Sequence, residues 1–394
     1  MGWKKVVGII AAVSFVILLR PSYVWTNFIP GIAMILFGFI PLFIGKVKLT
    51  SSKVGFIIIL FLLYLYNLRQ ITPSSILSIL IILVFISDEL YKVDVYKYCR
   101  NIYAVLLAIS MIVFVLVVYV GIDLPNYVID ASNANKDHTY FQYPMLVVPN
   151  DMMHPDHAFR FSFLLDEPGA VGTLAAIILL IENYSLKKWH NIIIFISGIL
   201  SLSLFFFIVS FFFLVILKVK NFKGIATILL IGAIVGVGFW YLSENYSEVS
   251  ILFENRFNFE DGHLAGDNRS SDSFDRVYSD FLRNGDDLLF GKGVGAHNTI
   301  APGIQTYKMI IYDNGIIYVI LVLLFYLLYP FSVLKKQPGK AILFIVFWLA
   351  LYYQRPAYVF EMAYFFLLTL TPVMWNWQMK EKKTTTMKQI SEKL

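Results

Sequence analysis

Long apolar runs separated by short lysine-rich connections most constrain the fold of this chain. Hydrophobic residues make up 58% of the 394 residues and charged residues only 15%, whereas a soluble domain is about half apolar. A helix that crosses a bilayer needs about 20 mostly apolar residues. Ten apolar runs, several of them shorter than this, are predicted to be membrane spans, near residues 3–19, 27–45, 54–66, 75–87, 102–120, 163–183, 225–242, 309–333, 341–353 and 357–377. We therefore expect an all-α polytopic integral membrane protein.

The stretch 191–217 decides the orientation of everything that follows it. Lysines precede it at 187 and 188 and follow it at 218, 220 and 223, and lysine-rich connections stay in the cytoplasm. Both flanks are then inside, so the stretch crosses an even number of times. Its roughly 27 residues are too few for two full spans at about 1.5 Å per residue. We predict two short helices that turn near 201–203, and the alternative is one long tilted span that would invert the rest.

With two short helices in this stretch added to the ten spans, the sequence predicts about 12 transmembrane segments in one multi-span domain, residues 1–394, with both termini cytoplasmic. Two connections, 121–161 and 244–307, are too long to be simple turns, and both are predicted to be extracytoplasmic loops. They hold five of the nine arginines and five of the six histidines. The single cysteine, Cys99, falls at the inner face, so no disulfide can hold these loops together.

Arginine and lysine are distributed oppositely across the predicted membrane. Eight of the nine arginines fall outside, all except Arg100, whereas only three of the 23 lysines do. The positive-inside rule acts on both residue types alike and so cannot cause this difference. Arginine presents a planar fork of donors that suits phosphate or carboxylate. The distribution predicts an extracytoplasmic site for an anionic ligand, and the net charge of +6, which comes from the inner lysines, indicates no nucleic-acid partner.

The first candidate motif lies at the outer end of the span near 163–183. Arg160 is followed by Asp166, Glu167, Pro168 and Gly169. Acids at a span end are costly and are usually functional. In the alternative interpretation the acids only cap a helix, with Asp166 as the N-cap, and pair with Arg160.

The second motif is an amphipathic helix predicted near 272–284. Phe274, Val277, Tyr278, Phe281 and Leu282 recur at helical spacing. Arg269 precedes the helix, and Arg276 and Arg283 project from one side of it, so all three are candidates for anion binding. The alternative is a solvated face on which Asp272 and Asp280 form i,i+4 pairs with Arg276.

The third motif is a glycine-rich loop followed by a histidine. Gly291, Gly293 and Gly295 allow a tight loop whose backbone N–H groups can face an anion. His297 can act as a general base near neutral pH, or it is an ordinary loop histidine. The one metal-like cluster, formed by Asp151, His154, Asp156 and His157, lacks the fuller ligand set of a structural site, and we expect no metal.

These motifs, in this order, resemble those of the bacterial O-antigen polymerases, the Wzy group of the O-antigen polymerase and ligase superfamily. The resemblance covers residues 159–318: Arg-Phe-x(5)-Glu-Pro-Gly entering a span, an arginine-bearing outer helix, Leu-Leu-Phe-Gly-Lys-Gly-Val-Gly, and Asp313-Asn314-Gly315 opening a span. In many members a His-Asn pair lies closer to that last span, where this chain has Ile304 and Gln305. Ligase-like members carry Ser-Arg after the short helix near 201, where this chain has Ser203-Leu204.

The resemblance implies a cofactor-free glycosyltransferase in the bacterial inner membrane, with its active face in the periplasm. It would transfer a growing glycan from undecaprenyl diphosphate onto a sugar hydroxyl of another lipid-linked repeat unit, alongside a flippase and a chain-length regulator. We predict that Arg160 and Arg276 bind the diphosphate, with Arg269, Arg283 and Arg355 as further candidates. Glu167 is the preferred base or arginine-orienting acid, and His297 is the second choice.

Two other functions stay open. One is an O-antigen ligase or another lipid-sugar glycosyltransferase. The other is a flippase or transporter of lipid-linked oligosaccharides, which would need polar groups lining a path through many spans. The predicted spans are almost bare of charge, with Glu361 the main exception, and this favours an enzyme.

Overall fold

The structure is a computed structural model. It describes residues 3–24, 28–44, 46–69, 71–130, 139–150, 158–218, 222–247, 250–251, 259–260, 263–264, 271–285, 287–302, 304 and 306–391. The described chain is mostly helical, as the sequence predicted. Its helices are α1 (Trp3–Leu18), α2 (Ile29–Phe43), α3 (Ser51–Asn67), α4 (Pro73–Leu77), α5 (Leu80–Ile86), α6 (Glu89–Phe114), α7 (Pro168–Ile181), α8 (Trp189–Leu200), α9 (Leu204–Lys218), α10 (Phe222–Asn245), α11 (Asp272–Asn284), α12 (Tyr307–Val333), α13 (Pro338–Gln354) and α14 (Met362–Ser391).

Each predicted span contains a helix, but some boundaries differ widely: α6 begins at Glu89 rather than near 102, α14 ends at Ser391 rather than near 377, and the span near 75–87 is divided between α4 and α5. Within the described residues, two helical stretches are long and apolar enough to cross a membrane by length and composition, Glu89–Tyr119 and Tyr307–Val333. The first of these continues α6 through a π-helical turn, Val115–Tyr119. The number and direction of crossings stay predictions.

The sequence predicted one multi-span domain, and the structure divides the chain into two compact units. Unit 1 contains Met1–Leu18, Phe28–Cys99 and Asp272–Leu394, and unit 2 contains Leu19–Asn27 and Arg100–Ser271.

Unit 1 is built around α12, which packs against α3 and α13. Aromatic rings fill these contacts: Phe325 of α12 meets Phe56 of α3 edge-on at 5.7 Å, and Tyr326 stacks on the buried Trp348 of α13 at 4.8 Å. Aromatic pairs in these geometries add to the stability gained from apolar burial alone. The Tyr326 hydroxyl also donates to the Val359 carbonyl at 2.5 Å, which adds a polar contact to this packing in the C-terminal half of α12.

Unit 2 is built around α7, in which every residue from Pro168 to Ile181 is buried. The predicted pair of short helices is present as α8 and α9, which meet at Ser201–Ser203. This turn packs on α7, because a Cβ at Gly172 would lie 2.4 Å from the Ser203 Cβ. Whether both ends of the pair face the cytoplasm stays a prediction.

Unit 2 also contains strands that the sequence did not predict. β1 (Tyr127–Asp130), β2 (Thr139–Tyr143) and β3 (Leu146–Asn150) form an antiparallel sheet in the order β1-β2-β3. A short hairpin pairs β4 (Phe259–Glu260) with β5 (His263–Leu264). The sheet is joined to the segment before α7, since the Val147 N–H donates to the Phe163 carbonyl at 2.7 Å and the Ser162 hydroxyl donates to the Val147 carbonyl at 2.6 Å.

Arg100, the one arginine predicted to lie inside, has a structural partner. Its guanidinium donates to the carboxylate of Glu182, and both side chains are buried. Lys188 donates to the other Glu182 oxygen at 2.9 Å. A bonded and buried ion pair accounts for this exception to the arginine distribution without a ligand.

Candidate functional site

A break in α12 forms the frame of the candidate site in unit 1. At Gly315 the backbone adopts φ 80° and ψ 175°, a conformation that is essentially restricted to glycine. An unbroken helix would bond the Ile316 N–H to the Tyr312 carbonyl and the Ile317 N–H to the Asp313 carbonyl. The break therefore leaves two donors and two acceptors without their helical partners.

The segment 288–293, which we call the inserted loop, supplies partners for all four groups. The Ile316 and Ile317 N–H groups donate to the carbonyls of Leu288 (3.0 Å) and Leu289 (3.2 Å). In return, the N–H groups of Lys292 and Gly293 donate to the Tyr312 carbonyl (2.8 Å) and the Asp313 carbonyl (2.9 Å). The inserted loop thus replaces the missing turn of α12, which meets the requirement that buried backbone groups be paired.

Two glycines are needed because the two backbones lie in direct contact. A Cβ at Gly291 would lie 2.4 Å from the Asp313 carbonyl oxygen, and a Cβ at Gly315 would lie 2.4 Å from the Leu289 carbonyl oxygen. Both glycines also have positive φ angles. An alanine at either position would be excluded by backbone atoms that cannot move aside without separating the inserted loop from the helix.

The carboxylate of Asp313 occupies the place where the sequence predicted a bound anion. It accepts the Gly295 N–H at 2.9 Å, the His297 N–H at 3.0 Å, and a hydrogen bond from His297 Nδ1 at 2.6 Å. The prediction that this loop's N–H groups face an anion is therefore met by a residue of the chain itself. Asp313 was not among the predicted site residues, although a lone acid two residues before a glycine in an apolar run is a usable signal.

His297 and Asp313 form a base-and-orienter pair. Their side chains are 12% and 5% exposed, respectively. Because a carboxylate oxygen accepts, Nδ1 of His297 carries the proton, and Nε2 is left to take one from a ligand. Within the described residues Nε2 forms no hydrogen bond. The arrangement can act as a general base and can stabilise the imidazolium that forms.

Arg69, at the end of α3, holds the inserted loop from its other side. Its guanidinium donates to the carbonyl of Phe290 and, at 3.4 Å, to that of Gly291. Arg69 was counted among the predicted outer arginines but was not proposed for the site. In the sequence, only its position at the end of a predicted span could have pointed to a role for Arg69 in the site.

The predicted amphipathic helix is present as α11, and it packs on the start of α12. Phe274, Tyr278 and Phe281 are buried, and the ring of Phe281 lies 5.1 Å from that of Tyr312, the residue before Asp313. Burial, with a smaller contribution from Tyr307, raises the pKa of Tyr278. Lys308 of α12 donates to Asp275 at 2.9 Å, which adds a polar contact between the two helices.

Arg276 and Arg283 lie on the opposite, exposed side of α11. Among the side chains that the structure describes, neither forms an ion pair, although the side chain of Asp272 is outside that set. Both arginines are thus placed to contact a ligand. Arg355 differs, because it is buried and its guanidinium donates to the Tyr358 hydroxyl at 2.9 Å while lying 5.0 Å from that ring.

The other predicted pair, Arg160 and Glu167, belongs to unit 2. Arg160 is buried. Glu167, and not Asp166 as predicted, is the N-cap of α7, and its side chain makes no capping hydrogen bond. The Asp166 carbonyl accepts the Tyr140 hydroxyl at 2.6 Å, so the segment is fixed to strand β2.

Some predicted residues lie outside the described residues: Asp151, His154, Asp156, His157, Arg256 and Arg269. Within the described ranges, no group of three or more His, Cys, Asp or Glu side chains could hold a metal ion. No protein-family model, curated protein or solved structure matches this chain. The functional argument therefore depends on the geometry of the site and on the motifs.

Proposed function

We propose that this chain is a membrane glycosyltransferase that polymerises polysaccharide repeat units, an O-antigen polymerase. The observation that carries the proposal is the His297–Asp313 pair, which is held at a break in a helix long enough to cross a membrane. The motif order that resembles the polymerases supplies the substrate class. We place the site at the periplasmic face of the bacterial inner membrane, in a chain with about twelve membrane segments.

The pair matches the proton transfer that such a reaction needs. A sugar hydroxyl of one lipid-linked unit attacks the anomeric carbon of the growing glycan, and the bond from that carbon to the diphosphate breaks. Nε2 of His297 takes the hydroxyl proton, and Asp313 stabilises the imidazolium. The undecaprenyl diphosphate leaves with the electron pair of the broken bond. On this geometry we rank His297 ahead of Glu167 as the base, the reverse of the order from sequence alone.

The leaving diphosphate gains negative charge in the transition state, and arginine can stabilise it there. Arg276 and Arg283 are the arginines of unit 1 that suit this role, because both are exposed on a helix packed beside Asp313. Arg355, which is engaged with Tyr358, suits a structural role better. Arg160 and Glu167 stay candidates in unit 2, with Glu167 as an acid that orients Arg160.

The test is complementation of a deletion strain at matched protein level, read from the length of the surface glycan on a gel. We expect His297→Ala to give surface glycan of a single repeat unit. Without the polymerase, each lipid-linked unit still crosses the membrane and reaches the surface, but the units are not joined to one another. His263→Ala is the matched control, since His263 is a predicted outer histidine that lies in the β4–β5 hairpin, and it should leave long glycan. Loss of all glycan would indicate a ligase or a flippase, and full-length glycan from His297→Ala would remove His297 from the chemistry. Glu167→Gln in the same assay tests the second acid.

A further inference from the structure

The inserted loop carries an exposed apolar tip, Leu289 and Phe290. Each of these side chains is 56% exposed. The residues around the tip are not exposed and apolar. Asp287 before it and Lys292 after it form an ion pair at 2.9 Å, and Gly291 is buried. Two adjacent exposed apolar side chains in a loop bordered by charges indicate a contact with an apolar surface.

The length of α12 places this tip within the thickness of a bilayer. From Gly315 to Val333 the helix rises about 27 Å at 1.5 Å per residue, and Lys335 and Lys336 follow it. The hydrocarbon core of a membrane is about 30 Å thick. With Val333 at the inner boundary, Ile316 and Ile317 lie just inside the outer boundary, and the inserted loop is hydrogen-bonded to them.

The exposed residues of α12 support the same depth. Exposed apolar side chains recur along the helix at about one-turn spacing, at Ile320, Leu324, Leu328 and Phe331. A stripe of this kind faces lipid in a membrane helix. The stripe begins at Ile320, one helical turn after Ile316, which is hydrogen-bonded to the inserted loop. The loop tip therefore lies about one turn further towards the outer face than the stripe.

Most of the backbone polar groups at the tip are paired with other groups of the protein. The carbonyls of Leu288 and Leu289 accept from α12, and those of Phe290 and Gly291 accept from Arg69. The N–H groups of Phe290 and Gly291 donate to the Asp287 carbonyl. A loop in water needs no such pairing, whereas non-helical backbone at membrane depth is tolerated only when its polar groups are satisfied by protein.

We propose that the Leu289–Phe290 tip is a re-entrant membrane anchor, inserted among the acyl chains of the outer leaflet. It would hold His297, a few residues further along the chain, at the level of the lipid headgroups. The inference rests on the membrane placement in the proposed function, but not on its chemistry. Arg69 then acts by supplying donors for the Phe290 and Gly291 carbonyls.

Site-directed spin labelling of the full chain in lipid vesicles tests this anchor. Single cysteines at Phe290, Leu324 and Asn298, in a Cys99→Ser background, carry the nitroxide label. Collisions with oxygen, which dissolves in acyl chains, are compared with collisions with a water-soluble nickel chelate. We expect Phe290→Cys to resemble Leu324→Cys, with a several-fold higher oxygen-to-nickel ratio than Asn298→Cys. Leu289→Cys should agree, and it replaces Phe290→Cys if that variant does not fold.

The outcomes separate the two proposals. A Phe290 label as open to nickel as the Asn298 label, with Leu324 in lipid, overturns the anchor and leaves the proposed function standing. A Leu324 label in water overturns both, because α12 would then not cross the membrane.

Discussion

Replacing Asp313 by asparagine is the sharpest test of the proposed base. The side chain keeps its size and place, but one oxygen becomes an NH₂ group that cannot accept. The carboxylate now accepts from three donors: two backbone N–H groups and Nδ1 of His297. In the asparagine variant, the NH₂ group therefore faces at least one of these donors, and that donor loses its hydrogen bond.

The free-energy cost of Asp313→Asn is estimated for the least costly orientation of the asparagine amide. The amide oxygen keeps Gly295 N–H and Nδ1 of His297, and the NH₂ group faces the His297 N–H. What is lost is one buried hydrogen bond and the negative charge beside the imidazolium. A charge-assisted bond is worth about 1.5–3 kcal/mol. If it is felt in the transition state, the rate falls roughly tenfold to a hundredfold.

The assay is the initial rate of glycan joining by purified protein supplied with lipid-linked repeat units, with thermal melting measured alongside. Asp287→Asn is the matched control, because Asp287 is a neighbouring acid that is 57% exposed and pairs with Lys292. An exposed pair is worth less than about 1 kcal/mol, so this variant should be close to wild type. An unchanged rate for Asp313→Asn, or equal losses for both variants, would refute the role given to Asp313.

Three further outcomes are expected. Gly315→Ala should lower the melting temperature and abolish polymer, because its Cβ meets the Leu289 carbonyl at 2.4 Å in addition to backbone strain of about 1–3 kcal/mol. Gly285→Ala also places alanine at a positive φ but has open space around its Cβ, so it should keep polymer, and the opposite ranking would contradict the contact. Arg69→Lys keeps the charge but loses the fork that reaches two carbonyls, so kcat should fall while KM holds, and a change in KM alone would instead indicate ligand binding. Arg276→Lys should weaken diphosphate binding roughly tenfold to a hundredfold and so shift surface glycan towards single units. Normal chain length at matched protein level would exclude a role for Arg276 in binding the diphosphate.

The helices were predictable where periodicity and length carry the information. The apolar positions of α11, Phe274, Tyr278 and Phe281, recur at helical spacing, and these residues are buried in the structure. The two short helices α8 and α9 followed from the lysines on both flanks of a stretch too short for two spans. Local pattern and charge suffice in both cases because the elements are continuous in sequence.

The sheet β1–β3 was missed for the opposite reason. Its strands are four or five residues long and lie in a segment interpreted as a loop between spans. Leu146-Val147-Val148 has strand-forming residues, but in so apolar a chain a short apolar run gives little contrast. The anion expected at the glycine loop was likewise assigned to a ligand, since nothing local to residues 291–297 indicates a carboxylate 16 residues further on.

The break in α12 could not be predicted from the local sequence around Gly315. Helix α10 contains Gly232, Gly236 and Gly238 and stays continuous, so glycine in an apolar helix does not by itself cause a break. At Gly315 the chain can leave the helix because a second segment supplies two carbonyls and two N–H groups for the four that the break exposes. In an apolar environment each such group left unpaired would cost several kcal/mol. The break and the inserted loop are therefore stable only together. Because the loop is held against the helix, His297, four residues after it, lies within hydrogen-bonding distance of the Asp313 carboxylate.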